Sequence, residues 1–145
     1  MSEENAPKKP RKRMGQSPNA RSLAWLRSFG WHAQIVEQTI PRCLIKRDLW
    51  GLADIACLDG EPGVRFVQAT TESHLGAHTE KALAQAALVP LLAAGNRFEI
   101  HLYGKRMIAP QPGVKRTRTA AFQYEMRRVS ARLVAGVVRW HEEGA

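Results

Sequence analysis

The chain has 145 residues, enough for one domain with a substantial core but too few for two. Its 22 Lys and Arg residues exceed its 13 Asp and Glu residues. The resulting charge of +9 favours a polyanionic partner, with nucleic acid the first candidate and an anionic membrane surface the second. Cys43 and Cys57 lie in no zinc-site spacing, and no phosphate-binding loop or dinucleotide motif occurs. These patterns argue against zinc, ATP and dinucleotide binding.

The first 16 residues form a polar, basic segment without hydrophobic periodicity. The pattern predicts a disordered arm that either tethers the protein to phosphates or is only a solvated tail. Because this segment is polar and no apolar run is long enough to span a bilayer, we expect a cytoplasmic protein without a membrane partner. The arm residues that are candidates for nucleic-acid binding are Lys8, Lys9, Arg11, Lys12 and Arg13.

Ser17 and Pro18 are typical of a helix start, and the apolar spacing after them predicts a helix over 18–29. β-branched residues predict a first strand over 31–40, with Glu37 inside it. The connection 41–47 that follows is basic. Its candidates for nucleic-acid binding are Arg42, Lys46 and Arg47.

Two apolar runs, 52–58 and 64–70, are joined by a turn-rich segment and together predict an antiparallel hairpin. The first run contains Asp54, and the second contains Gln68 and Thr70. Side chains two apart on a strand share a face, so Gln68 and Thr70 point the same way and Asp54 can face them from the neighbouring strand. A buried carboxylate needs a hydrogen-bond partner, a cation or solvent. On these residues alone, a turn cap or an arginine pair is the favoured role of Asp54.

The phrases RDLWGLAD and VQATT carry a more specific signal, within a similarity that runs roughly from Leu23 to Lys105. They resemble the PD-(D/E)XK nuclease superfamily, especially small phage and bacterial proteins of the Holliday-junction-resolvase type with a DLFGxxD-like segment followed by QVT. The resemblance implies an α/β fold with a restriction-endonuclease-like core, in the order αβββαβ, whose mixed central sheet is flanked by helices. It further implies an Mg²⁺- or Mn²⁺-dependent deoxyribonuclease that acts on DNA, including branched DNA, and that works as a homodimer.

Catalytic and metal-binding positions also follow from this resemblance. Asp54 matches the metal-binding aspartate of the superfamily, and Gln68 matches its second acidic position. Thr70 falls where the catalytic lysine of the superfamily stands, so it is the third catalytic position but brings no charge. The implied ligands of the cation are Asp54, the Gln68 side-chain oxygen, the carbonyl of Ala69 and, as a third acidic group, Glu37.

Two further residues belong to the predicted site. In several branches of the superfamily the lysine has moved to an adjacent helix, and Lys81 is suitably placed to be such a catalytic substitute. Asp48 belongs to the resembling phrase and is a secondary candidate near the site. Other roles stay open: Lys81 can be a solvent-exposed residue near Glu80, and Glu37 can be a solvent-facing strand residue paired with an arginine.

The rest of the chain predicts helices, strands and one basic loop. In chain order these are a helix over 77–94, a strand over 98–103, a flexible basic loop over 107–119, an edge strand over 122–129 and a short helix over 130–140. Pro90 should kink the first of these helices or split off its last turn. The loop residues that are candidates for nucleic-acid binding are Lys115, Arg116 and Arg118.

The predicted organisation is thus a basic arm over 1–16, a nuclease-like core over 17–106 and a C-terminal part over 107–145. The predicted function is DNA binding with Mg²⁺-dependent endonuclease activity. The alternative is a catalytically inactive nuclease fold that serves as a nucleic-acid-binding or virion structural component, because Gln68 and Thr70 carry no charge at two motif positions.

Overall fold

A mixed six-stranded sheet lies at the centre of the computed structural model, which describes residues 16–43, 45–107, 113 and 122–144. The sheet order is β1-β4-β5-β6-β7-β8, and β2 and β3 form a separate two-stranded hairpin. All neighbours in the large sheet are antiparallel except β5 and β6, which are parallel. The strands are β1 His32–Ile35, β2 Gln38–Ile40, β3 Ile45–Arg47, β4 Ile55–Leu58, β5 Arg65–Thr71, β6 Arg97–Met107, β7 Phe122–Val134 and β8 Val137–Glu143.

Helices cover both faces of the sheet and so confirm the predicted α/β class with a mixed central sheet. Helix α1, Pro18–Ser28, begins where predicted, because the Ser17 hydroxyl accepts a hydrogen bond from the Ala20 amide at 3.2 Å. A 3₁₀ turn, Glu72–His74, leads into α2, Leu75–Leu83, and then α3, Leu88–Ala93. No helix among the described residues is long and apolar enough to cross a membrane.

Two apolar cores form because alternate side chains of each strand point to opposite faces. On one face, Leu26 of α1 packs with Ile55 and Val67. On the other face, α2 and α3 cover the long apolar row of β6. The buried residues of this second core include Ala82, Leu88, Leu91, Phe98, Ile100 and Leu102.

The predicted strand over 31–40 is in fact two strands with different partners. β1 pairs with β4, whereas β2 leaves the sheet and pairs with β3. At the break, the amides of Val36 and Glu37 both donate to the carbonyl of Asp54, at 2.8 and 3.3 Å. Glu37 therefore lies at a branch point beside Asp54 rather than inside a strand.

The predicted helix over 77–94 is interrupted between Leu83 and Leu88, and not at Pro90. Pro90 is the third residue of α3. The amides in the first turn of a helix have no partner within the helix, so proline is tolerated there. Of the two predicted alternatives, the separation of a last turn is found as α3, but the break precedes Pro90 and no kink at Pro90 is needed.

The C-terminal tail is the largest correction, since the helix predicted over 130–140 is a pair of strands. The predicted edge strand over 122–129 extends to Val134 and lies inside the sheet, paired with β6 on one side and β8 on the other. Ala135 and Gly136 form a two-residue turn between β7 and β8, with φ values of 50° and 77°. Left-handed residues at both turn positions are typical of tight hairpins.

Candidate metal centre

Three carboxylates converge at the edge of the sheet where β4 begins. One carboxylate oxygen from each of Glu37, Asp48 and Asp54 lies within 4.8 Å of the other two. Glu37 follows β1, Asp48 follows β3, and Asp54 immediately precedes β4. Hard oxygen donors gathered in this way are the ligand set that Mg²⁺ and Mn²⁺ prefer, so these residues fit such a cation.

A sharp turn brings Asp48 and Asp54 together although they are six positions apart. Trp50 and Gly51 both adopt left-handed backbone conformations, with φ values of 54° and 68°. The chain therefore folds back, and Leu49 pairs with Ala53 in an isolated bridge. The φ of 68° at Gly51 favours glycine, because a residue with a side chain would be strained in this conformation.

Asp54 is the buried centre of this cluster, with only 3% of its surface exposed. Its Oδ2 accepts hydrogen bonds from Gln68 Nε2 at 2.8 Å and from the Ala69 amide at 3.3 Å. Burial, followed by the neighbouring Asp48 and Glu37 carboxylates, raises the pKa of Asp54 to about 8. Without a cation, Asp54 therefore holds a proton at neutral pH.

Asp48 is the ionised partner in the cluster. Burial alone would raise the pKa of Asp48, but the hydrogen bond with Asp54 and the Lys81 ammonium outweigh burial and lower that pKa. Lys81 Nζ lies 2.9 Å from Asp48 Oδ2. Lys81, which the resemblance implied as a substitute lysine, thus reaches the carboxylate cluster from α2 through Asp48.

Two polar side chains that the sequence did not single out as site residues stand at the margin of the cluster. Asn19 of α1 donates to Glu37 Oε2 at 3.4 Å, and the Oδ1 atom of the same amide is buried without a partner among the described residues. His78 lies one turn before Lys81 on α2, and its Nδ1 atom is likewise buried and unpartnered. Burial, and then the neighbouring positive charges of Lys81 and His74, lower the pKa of His78.

Several predicted site residues have roles in the structure that differ from those expected. Gln68 faces Asp54, as predicted, but does so as a donor through its amide nitrogen. Ala69 contacts Asp54 through its N–H, and its carbonyl faces the same side of β5 because both groups of a strand residue point to one neighbour. Thr70 is buried on the Gln68 face and brings no charge.

Of the predicted nucleic-acid-binding residues, Arg42, Lys46 and Arg47 are exposed around the β2–β3 hairpin that leads into Asp48. The other candidates lie outside the described residues. They are Lys8, Lys9, Arg11, Lys12, Arg13, Lys115, Arg116 and Arg118.

The sequence contained one usable signal for the approach of Asp48, a secondary candidate, to Asp54. The two residues flank a Trp-Gly pair, and a glycine in such a short segment often marks a reversal of the chain. Asn19 gave no comparable signal, because its place beside Glu37 depends on how α1 packs on the sheet.

Comparisons of the chain with protein-family models, with curated proteins and with solved structures found no match.

Proposed function

We propose that this protein binds DNA and hydrolyses its phosphodiester bonds as an endonuclease that depends on Mg²⁺ or Mn²⁺. The observation that carries the proposal is the convergence of Glu37, Asp48 and Asp54 within 4.8 Å, with Lys81 paired to Asp48. Carboxylates that can hold a cation, with a lysine beside them, can together stabilise the charge that develops in phosphodiester hydrolysis.

The order of the elements also supports the proposal. Helix α1 is followed by the antiparallel strands β1, β4 and β5, then by α2 and α3, and then by β6 parallel to β5. This order is similar to the αβββαβ core of restriction-endonuclease-like proteins. The β2–β3 hairpin would then be an insertion that delivers Asp48 to the site.

Asp54 and Asp48 would bind the cation most directly, with Glu37 as a third carboxylate and the oxygens of Gln68 and Ala69 at the margin. When bound, the cation supplies Lewis-acid polarisation of the phosphate and activation of an attacking water. Asp54 must lose its proton to become a ligand, and the burial that raises its pKa therefore couples cation binding to proton release. To act as a ligand, Gln68 must turn its amide, whose nitrogen now donates to Asp54, so that its oxygen faces the cation.

Lys81 would supply the positive charge that Thr70 lacks. Its side chain is 48% exposed, so the ammonium is accessible to a phosphate oxygen while it stays near Asp48. A lysine in this position would stabilise the negative charge that develops on the phosphate in the transition state.

A second candidate function is a nuclease-like fold that binds DNA without cutting it. The specific observation in its favour is that Thr70 is buried and uncharged, and Gln68 donates a hydrogen bond to Asp54 where a further carboxylate would otherwise stand. In that case the proton on Asp54 and the ion pair of Lys81 with Asp48 would be the resting state of a cluster without catalytic use.

The deciding experiment is a cleavage assay on labelled linear, single-stranded and four-way-junction DNA with Mg²⁺ or Mn²⁺. The variants are Asp54→Asn and Lys81→Met, and the control is Lys105→Met, which alters an exposed lysine of β6 away from the carboxylates. We expect metal-dependent cutting by the wild type and the control, and a loss of at least about a hundredfold in both site variants. Salt-sensitive DNA binding without cutting by the wild type would instead establish the second candidate.

A further inference from the structure

Four arginines form a straight row across the sheet, on the face that α1 partly covers. Arg65 of β5 is opposite Arg97 of β6, and Arg132 of β7 is opposite Arg139 of β8. The pairing of Phe98 with Ala131 places Arg97 opposite Arg132 one position further along. Since neighbouring strands are about 4.8 Å apart, this arginine row spans about 14 Å over four strands.

Buried carboxylates fix two members of the arginine row, Arg65 and Arg97, by hydrogen bonds. Asp59 accepts hydrogen bonds from Arg65 at 3.0 Å and from Arg97 at 2.7 Å, and Glu99 accepts from Arg65 at 3.0 Å. The side chains of Asp59 and Glu99 are only 1% and 6% exposed. The side chains of Arg65 and Arg97 are 14% and 34% exposed, so these arginines are more accessible than the carboxylates that fix them.

The same carboxylates are themselves anchored to the core. Glu99 also accepts from His101 at 2.7 Å, and the other nitrogen of His101 is 2.8 Å from the Ser22 hydroxyl of α1. Ser22 and His101 are fully buried. Arg65 and Arg97 are thus preorganised by a buried network, which reduces the entropy lost when a ligand binds them.

The need to pair with the buried carboxylates Asp59 and Glu99 does not explain why arginines lie opposite arginines on neighbouring strands. Like charges directly opposite on neighbouring strands destabilise a sheet. The row contains three such pairs: Arg65 with Arg97, Arg97 with Arg132, and Arg132 with Arg139. Asp59 offsets the charge of Arg65 and Arg97. Arg132 pairs with Glu143 at 3.1 Å, and Arg139 adds a further exposed positive charge beside Arg132. An external anion would relieve this repulsion.

A cavity of about 230 Å³ opens along the arginine row. Arg65, Arg97, Arg128 and Arg132 line it with Ser130, and so do the carboxylates Glu99 and Glu143, which the four arginines outnumber. A water molecule occupies about 30 Å³ in the liquid, so the cavity holds a phosphate group with several waters. Planar guanidinium groups match the oxygens of phosphate in pairs, which makes phosphate the favoured anion.

We infer that the arginine row binds consecutive phosphate groups of a nucleic-acid backbone. The choice of nucleic acid as the polyanion rests on the proposed function. The row is separate from the metal centre: Arg65 and Gln68 are three residues apart on β5 and lie on opposite faces of the sheet. A nucleic acid that contacts both the arginine row and the metal centre must bend around the sheet or be branched.

The test measures binding of fluorescently labelled single-stranded and four-way-junction DNA by anisotropy over a series of salt concentrations. All proteins carry Asp54→Asn and the buffer contains EDTA, so that cleavage and metal binding do not contribute. The row variant is Arg132→Gln with Arg139→Gln, both exposed positions. The control is Arg21→Gln with Lys105→Gln, which removes the same charge near Tyr124, at the other end of β6.

We expect the row variant to reduce the slope of log affinity against log salt by about 2, and to weaken binding by about tenfold or more at low salt. The control should retain the slope of the parent. An equal loss in the row variant and the control would overturn the inference, because binding would then follow net charge alone. An unchanged row variant would overturn it as well.

A second experiment, titration with pyrophosphate, distinguishes binding of a nucleic-acid backbone phosphate from binding of a free phosphate. Trp31 and Trp25 pack against the guanidinium groups of Arg65 and Arg128, with 4.9 and 5.0 Å between the guanidinium carbon and the ring centroid, so tryptophan fluorescence reports on the cavity. Tight binding of pyrophosphate without row-dependent DNA binding would contradict a nucleic-acid ligand. A protein that binds DNA through the row but never cuts it would leave this inference intact and remove only the catalytic proposal.

Discussion

Replacement of Asp54 by asparagine should stabilise the protein in the absence of metal. At pH 7 the folded chain holds Asp54 protonated, because burial and the neighbouring acids raise its pKa from 3.8 to about 8. The unfolded chain ionises the same group and gains about 1.4 kcal/mol for each pH unit above its ordinary pKa. Over about three pH units this amounts to roughly 4 kcal/mol, which Asp54→Asn removes. The neutral amide can keep the hydrogen bonds from Gln68 and Ala69.

The sign of the pH dependence makes this prediction specific. A group with a raised folded pKa contributes stability that is complete below its unfolded pKa and is lost as pH rises through the folded pKa. The wild type should therefore lose stability between pH 4 and pH 8, and the advantage of Asp54→Asn should shrink towards zero near pH 4.

Urea unfolding in EDTA at pH 4, 5, 6, 7 and 8 measures the effect of Asp54→Asn. Glu61→Gln, a change at an exposed carboxylate, is the control and should show no comparable gain. A variant that is less stable than the wild type at pH 7, or a gain that does not change with pH, would refute the assignment of a protonated, frustrated carboxylate at this site.

Two further substitutions test contacts of the central sheet, one at the buried carboxylate Asp59 beside the arginine row and one in the turn between β7 and β8. Asp59→Asn should lower the free energy of unfolding by about 3 kcal/mol at pH 7, because it leaves Arg65 and Arg97 beside a neutral group. Hydrogen bonds from Arg97 and Arg65 hold the pKa of Asp59 well below its usual range, so the difference should persist at pH 4 and shrink as pH falls further. Ala135→Asn should stabilise the β7–β8 hairpin by about 0.5–1 kcal/mol in urea unfolding, because asparagine tolerates the φ of 50° better than alanine. Unchanged midpoints in either variant would contradict these contacts.

The central hairpin could be predicted because strand alternation is a local rule. The pattern placed Gln68 opposite Asp54, and the hydrogen bond between them confirms it. The position of Lys81 beside Asp48 depended on the helix that follows β5, whose start the sequence indicated within two residues. Periodicity therefore sufficed to place Lys81 on a helix, whereas its candidacy as a site residue came from the resemblance.

The tail was mispredicted because two structures share one apolar spacing. Leu133, Val134, Val137 and Val138 recur at intervals of three and four, which is the period of a helix. A two-residue turn at 135–136 gives the same spacing, because it places Val134 opposite Val137 and Leu133 opposite Val138. Only the pairing with β6, which is distant in sequence, decides between them.

The arginine row could not be read from the sequence for a similar reason. Its members come from four strands and are neighbours only through the sheet register. Asp48 joined the cluster through the left-handed turn at Trp50 and Gly51, a conformation that propensity does not assign to tryptophan. Contacts that depend on tertiary register thus escaped prediction, whereas contacts within one hairpin did not.

The most direct test of a metal centre at Glu37, Asp48 and Asp54 is calorimetric titration of Mn²⁺ into the full chain at pH 7, in two buffers of different ionisation enthalpy. The account predicts saturable binding with release of about one proton per ion, because Asp54 must be deprotonated to bind, and loss of that binding in Asp54→Asn. Binding of Mn²⁺ that is equal in the wild type and Asp54→Asn, or no binding at all, would contradict it.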